Sequence, residues 1–165
     1  MPKRFEPKLS QNQRISRAEL YFNPLATVKD GGNRAFYRPD NPESVFMPGF
    51  DQFPDATQYY SVLAHETTHW TSHESRCNRE LGKRFGDEAY AVEELIAELG
   101  SAVTMAHLEL ELTPRLDHAS YLSSWLKVLK ADSRAIFTAA SAAQRACDWL
   151  TARAQSPAIT QEVAA

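Results

Sequence analysis

Read from its N-terminus, the chain opens polar and basic, passes through short apolar runs broken by glycine and proline, and ends in long stretches with apolar residues at helical spacing. Residues 1–14, with Lys3, Arg4, Lys8 and Arg14, carry no periodic apolar pattern and read as a disordered, solvated arm. Residues 15–22 read as a short helix. Residues 27–29 and 35–37 read as strands flanking Asp30-Gly31-Gly32-Asn33, a hairpin-turn sequence, and residues 44–47 as a third strand closed by Pro48-Gly49. From residue 59 the period changes. Tyr59, Tyr60, Val62, Leu63 and Ala64 open a helix that runs to Trp70, and Asp55, after Pro54, is its candidate N-cap.

The remaining pattern predicts three more helices. Val92, Leu95, Ile96, Leu99 and Val103 give residues 87–108 one apolar side, with Asp87 as the N-cap. Asp117 or His118 opens the next, to Lys130, with Tyr121, Leu122, Trp125, Val128 and Leu129 inward. Asp132 or Ser133 caps the last, to about Arg153, with Ile136, Phe137, Ala140, Ala143, Cys147 and Leu150 as its packing face. Residues 155–165 read as a frayed tail. The expected organisation is one α+β domain over residues 15–154, a small sheet beside a mostly helical body.

Composition narrows the function. A chain of 165 residues, 43% hydrophobic and 24% charged, is long enough for a real core and ordinary for a globular domain. A formal net charge of −3 speaks against both a nucleic-acid glove and an acidic DNA mimic. Cys77 and Cys147 read as free thiols in a reducing compartment. No apolar run approaches the ~18 residues of a membrane span, and no signal-peptide pattern follows the basic start, so the expected address is cytoplasmic.

The chemistry concentrates at His65-Glu66-Thr67-Thr68-His69. An H-E-x-x-H sequence on a helix puts two imidazoles on one face, about 6 Å apart along the axis. So placed, they can hold one zinc ion, and the glutamate between them can act as general base on an activated water. A catalytic zinc site needs a third protein ligand. Between Phe85 and Pro114 there are seven acidic residues and no lysine or arginine: Asp87, Glu88, Glu93, Glu94, Glu98, Glu109 and Glu111. Glu94 and Glu98 share a helical face, and like charges at that spacing repel unless a cation lies nearby. The residues themselves leave the choice open among Glu94, Glu98 and Glu93. His73 would be a ligand only if the motif helix ran on through Thr71-Ser72, a pair that favours a helix end, and it reads as a turn residue.

Ala91-Val92-Glu93-Glu94-Leu95-Ile96-Ala97-Glu98 resembles the second helix of gluzincins, where the pattern is N-E-x-x-x-D. That resemblance implies Glu94 as the third ligand and Glu98 as the acid that fixes a histidine tautomer, with Glu93 at the asparagine position and outside the ligand set. A longer resemblance surrounds it. The run from Tyr59 to His73, Arg76, Gly82-Lys83-Arg84-Phe85-Gly86-Asp87-Glu88-Ala89-Tyr90 and Glu93 to Gly100 look like the zincin-like domain of ArdC-type antirestriction proteins. So do His118-Ala119-Ser120-Tyr121, the run from Trp125 to Lys130, Arg134-Ala135-Ile136-Phe137, Gly31 to Tyr37 and Met47-Pro48. Such domains occur on plasmids, conjugative elements and phages. The family usually has glycine where this chain has Ser72. It also resembles two-domain chains with a single-stranded-DNA-binding domain first; here only residues 1–14 precede the match, so DNA binding is not carried over.

The resemblance implies a zincin-like fold, one zinc ion per chain and hydrolysis of a protein or peptide substrate, linked to antirestriction. Zincins place an edge strand above the active-site helix, where a peptide adds as a further strand. The oxyanion needs a second electrophile. His118 and Tyr121, i and i+3 at a helix start, are its candidates, with Tyr90 a weaker one. Two other readings stand beside the enzyme. One is a silent zincin scaffold acting as a protein- or DNA-binding module, for which Glu66 has no use. The other is a metal-stabilised structural domain, which requires a fourth ligand.

Overall fold

The computed structural model describes residues 10, 13–81, 88–111 and 118–156, and at 118–121 the backbone alone. Five helices and a small sheet follow in the order α1 (Ser16–Phe22), β1 (Thr27–Asp30), β2 (Phe36–Tyr37), β3 (Ser44–Met47), α2 (Ala56–Trp70), α3 (Glu88–His107), α4 (His118–Ala131) and α5 (Ala135–Gln155), with a 3-10 turn at Phe50–Gln52. This is the expected α+β architecture. No described helix is long and apolar enough to cross a membrane. Most of the 1–14 arm, Asp87 and most of the 155–165 tail lie outside the described residues.

The three strands form where expected, but they do not pair as expected. The strand order is β1-β3-β2. β3 pairs in parallel with β1, Val28 beside Val45, and antiparallel with β2, Phe36 beside Phe46. The Asp30–Asn33 sequence is therefore a turn but not a hairpin. Val45 and Met47 are fully buried, which makes β3 the strand with most to gain from the centre. Gly31 and Gly32 carry the chain away at positive φ, and the Gly31 N–H bonds back to the Met47 carbonyl at 3.0 Å. Among the described residues β2 is an edge strand.

α2 is the axle of the fold. The Asp55 side chain caps it, accepting the Gln58 N–H at 2.8 Å. Its first turns bury Tyr59, Tyr60 and Leu63 among Phe22, Phe50, Met47 and Leu150. Arg14 belongs to this body rather than to the arm. Its guanidinium sits 4.4 Å from the Phe50 ring centre and 2.7 Å from the Glu19 carboxylate, which also accepts from the Tyr60 hydroxyl. The charge lies over an aromatic wall and beside its counter-ion. At its other end, α2 stops at Trp70, and Arg76 folds back over the Trp70 ring while both donate to the Pro42 carbonyl.

α3 crosses α2 closely at Gly100. A Cβ there would come within 2.6 Å of the Thr68 side chain. A second core joins Leu95 and Ile96 of α3 to Ala139, Ala142 and Ala143 of α5, with Trp125 of α4 at its edge. The α5 face differs from the expected one. Ala139, Ala142, Ala143, Ala146, Cys147 and Leu150 are buried, whereas Phe137 is 75% exposed and Ala140 faces solvent. The alanine stripe lets α5 approach α3 more nearly than a phenylalanine would allow. α5 also starts later than expected, with Arg134 at its cap; the Asp132 carboxylate, two residues upstream, accepts the Arg134 N–H. On α4, Leu122 is half exposed and Val128 buried, so its inward face is narrower than the apolar pattern suggested.

Candidate metal centre

Burial drives the motif helix to turn His65 and His69 inward, leaving them 3% and 7% exposed. Thr67 and Thr68 satisfy their hydroxyls within the helix, on the Leu63 and Ala64 carbonyls at 2.6 and 2.8 Å. They therefore offer nothing to the space between the imidazoles. The two rings stand edge to face, and their Nε2 atoms are 3.2 Å apart. α3 lays Glu94 across this pair, with Oε2 3.5 Å from His65 Nε2 and Oε1 3.3 Å from His69 Nε2.

Three donor atoms thus converge within 4.8 Å of one another. Donors at 2.0–2.2 Å from one tetrahedral ion lie about 3.3–3.6 Å apart, so these separations suit a small divalent cation. Two imidazole nitrogens that face each other across a buried gap also need a proton or a cation between them, because two lone pairs would repel. The donor chemistry and its spacing both fit a metal ion held by His65, His69 and Glu94.

The outer nitrogens face carboxylates. His65 Nδ1 lies 3.0 Å from Glu98 Oε1, the place that the gluzincin resemblance implies for Glu98. His69 Nδ1 lies 3.2 Å from Glu93 Oε1. At His69 the carboxylate hydrogen-bonded to Nδ1 favours the Nδ1–H tautomer and turns the Nε2 lone pair inward, whereas His65 Nδ1 meets Glu98 as a close contact without a hydrogen bond. Glu93, which the residues alone left as an alternative ligand and the gluzincin resemblance put outside the ligand set, is thus the partner of the second histidine. It is 2% exposed and bound by Arg79, whose Nε and Nη2 donate to its two oxygens at 3.0 and 2.8 Å. Arg79 supplies the positive charge that α3 lacks, from a loop outside the acid-rich window in which sequence reading sought it.

The electrostatics follow from this crowding. Burial disfavours charge on both imidazoles, but Glu94 and Glu98 beside His65, and Glu93 and Glu94 beside His69, raise both above the ordinary histidine value. Burial pushes the Glu94 carboxyl up, and the two histidines outweigh it and hold it well below the carboxylate range. Arg79 and His69 do the same for Glu93.

Glu66 lines the cavity beside the pair. It is 6% exposed and makes no hydrogen bond or ion pair among the described residues. It opens on a cavity of about 580 Å³ that also reaches His65, His69, Glu94, Tyr90 and Leu81. The opposite wall is the edge strand, with Phe36, Tyr37 and, just before it, Arg34. β2 is thus the edge strand beside the site, which the sequence alone left undecided. His73 lies in the turn after α2, its Nδ1 2.8 Å from the Ser75 hydroxyl, apart from the cluster. The side chains of His118 and Tyr121 lie outside the described residues.

The chain is similar to several known proteins. The chain is 47% identical over 158 residues to uncharacterized protein y4eC of Sinorhizobium fredii, covering 95% of this chain and 51% of that one. It is 43% identical over 128 residues to a DNA primase TraC of Escherichia coli, covering 77% of this chain and 12% of the primase. The chain therefore spans at most about half the length of these relatives. Among solved structures, the Mn(II)-bound antirestriction ArdC protein from the R388 plasmid matches with a TM-score of 0.75 at 38% identity, over 93% of this chain and 56% of that one. The metal-free form of the same protein matches with a TM-score of 0.75 at 37% identity, over 92% and 53%. Residues 16–142, from the first turn of α1 well into α5, match the zincin-like metallopeptidase family, and the chain belongs to it.

Proposed function

We propose that this chain is a divalent-metal peptidase domain, with zinc as its ion, that cleaves a polypeptide in the service of antirestriction. One observation carries the reading. Glu66 opens on the same cavity as His65, His69 and Glu94, which the edge strand β2 also lines. A purely structural metal site has no use for a carboxylate so placed. Two imidazoles and one carboxylate form a donor set that suits zinc. The Mn(II)-bound ArdC structure supports a divalent ion at this fold's site, and its antirestriction name supports the biological setting.

A divalent ion bound there supplies a Lewis acid that lowers the pKa of water toward ~7. The protein's own groups do the rest. Glu66 is positioned to take a proton from a water in the cavity and return it to the leaving amine. The β2 edge offers unpaired backbone groups to an extended substrate, as in other strand-addition modes. Tyr90, one turn before Glu94, lines the cavity and joins His118 and Tyr121 as a candidate donor to the oxyanion.

Glu66→Gln tests the reading. Zinc-loaded wild type and variant are incubated with labelled casein and with a host-cell extract, and new peptide termini are counted by mass spectrometry. The variant keeps its metal and loses cleavage by at least ~100-fold. Equal cleavage by both proteins, or none by zinc-loaded wild type, overturns the peptidase reading. If Glu66→Gln then also protects incoming DNA as well as wild type does in a conjugation assay, the silent-scaffold reading takes its place.

A further inference from the structure

Arg79 is tied to more of the metal centre's frame than any one contact requires. Its Nε and Nη2 grip both oxygens of Glu93 at 3.0 and 2.8 Å. Nη2 also donates to the Thr68 carbonyl at 2.8 Å, and Nη1 to the Thr71 hydroxyl at 2.9 Å. The Thr71 hydroxyl in turn donates to the same Thr68 carbonyl at 2.6 Å. One guanidinium therefore joins the last turn of α2, which carries His69, to the turn of α3 that carries Glu94. Its own backbone is held by a hydrogen bond from the Arg79 N–H to the Ser72 carbonyl at 2.8 Å.

The arrangement has a specific consequence for His69. Glu93 is 2% exposed, and a buried carboxylate with one imidazole for company is costly without a counter-charge. A bidentate arginine both offsets that cost and fixes the plane of the carboxylate. The oxygen that Nη2 reaches, Oε1, is the one 3.2 Å from His69 Nδ1. The position of the guanidinium thus sets where the Nδ1–H of His69 finds its acceptor, and so where Nε2 points. His65 is arranged differently: its Nδ1 lies 3.0 Å from a Glu98 side chain that is 14% exposed, against 2% for Glu93.

We propose that Arg79 is a positioning residue for the metal centre, acting through Glu93 to hold the His69 imidazole in the ligating orientation. The loop after the motif helix is then part of the metal site, although it supplies no ligand. This inference rests on the metal-centre reading of His65, His69 and Glu94.

A double-mutant cycle tests it, with zinc affinity measured by chelator competition and folding by circular dichroism, on wild type, Arg79→Ala, Glu93→Ala and the double variant. Outer-sphere partners of metal-bound histidines typically carry ~10–100-fold in affinity. Arg79→Ala lowers zinc affinity within that range in the wild-type background and has no further effect in the Glu93→Ala background. Arg79→Lys, which keeps the charge but not the fork, recovers only part of the loss. Should Arg79→Ala not fold, Arg79→Lys and its pair with Glu93→Ala give the same comparison. Wild-type affinity in folded Arg79→Ala overturns the inference, as does an equal loss in both backgrounds, which would make Arg79 a brace of α2 alone. Failure of the wild type itself to bind zinc overturns the metal-centre reading and this inference with it.

Discussion

At the scale of single residues, each imidazole of the pair has one nitrogen turned toward Glu94 and the other toward a carboxylate of its own. That arrangement fixes how the site responds to pH. In the metal-free protein, His65 and His69 titrate above the ordinary value of 6.5, so their contribution to stability is complete below that value and is lost as pH rises through the raised ones. Glu94 titrates below its ordinary 4.5, so its contribution is present above 4.5 and is lost as pH falls. The cluster therefore supports the metal-free fold best between about 4.5 and 6.5. A metal ion competes with the same protons, and its binding releases them. Zinc affinity should rise steadily from pH 5.5 to 8, with proton uptake by the buffer in calorimetry. A flat affinity across that range would mean that the imidazoles are not the donors.

At the scale of elements, the site depends on how closely α2 and α3 cross. Gly100 sits where the Thr68 side chain needs its space, six residues beyond Glu94. Gly100→Ala should place a methyl against Thr68 and cost about 1–3 kcal/mol despite the better helix propensity of alanine. Thr68→Ala in the same chain should recover part of that loss in thermal unfolding. Equal stability of Gly100→Ala and wild type would show that α3 can shift without strain. The helices themselves were legible in sequence because their signals are local. Asp55 caps α2 where a proline-aspartate pair announced it, and α2 ends at Trp70 as Thr71-Ser72 suggested. The strand pairing was not legible, because a glycine pair between two short strands fits a hairpin or a departure equally well. Only the burial of Val45 and Met47 put β3 in the middle.

At the scale of the molecule, the donors come from two helices that meet only through the fold. His65 and His69 ride on α2, Glu94 on α3; the main core joins α2 to Met105 near the end of α3, and the second core holds the Glu94 end of α3 against α5. A cation bound between them acts as a further tie. Mass action at a hundred times Kd adds about 2.7 kcal/mol to stability. Chelation should therefore lower the Tm by several degrees at pH 7.5, and His69→Ala should abolish the difference between chelated and zinc-loaded protein. A Tm indifferent to zinc in the wild type would contradict an ion shared by α2 and α3.

The sequence by itself determined the motif, the helices that carry it and the α+β class, since each rests on spacing within a few residues: i and i+4 histidines, a capping aspartate, apolar positions at helical period. It also confined the third donor to an acidic helix, and resemblance pointed to Glu94 and Glu98 within it. The tertiary structure decided what depends on contacts between distant segments. It set β2 as the edge beside the cavity, made Glu93, one of three candidate ligands in the sequence, the partner of His69, and brought Arg79 from the following loop to balance it. It also faced Phe137 outward and gave the alanines of α5 to the core. The division has a physical cause. Backbone periodicity is written locally in the chain, whereas the pairing of a buried charge is settled only when the elements that surround it have packed.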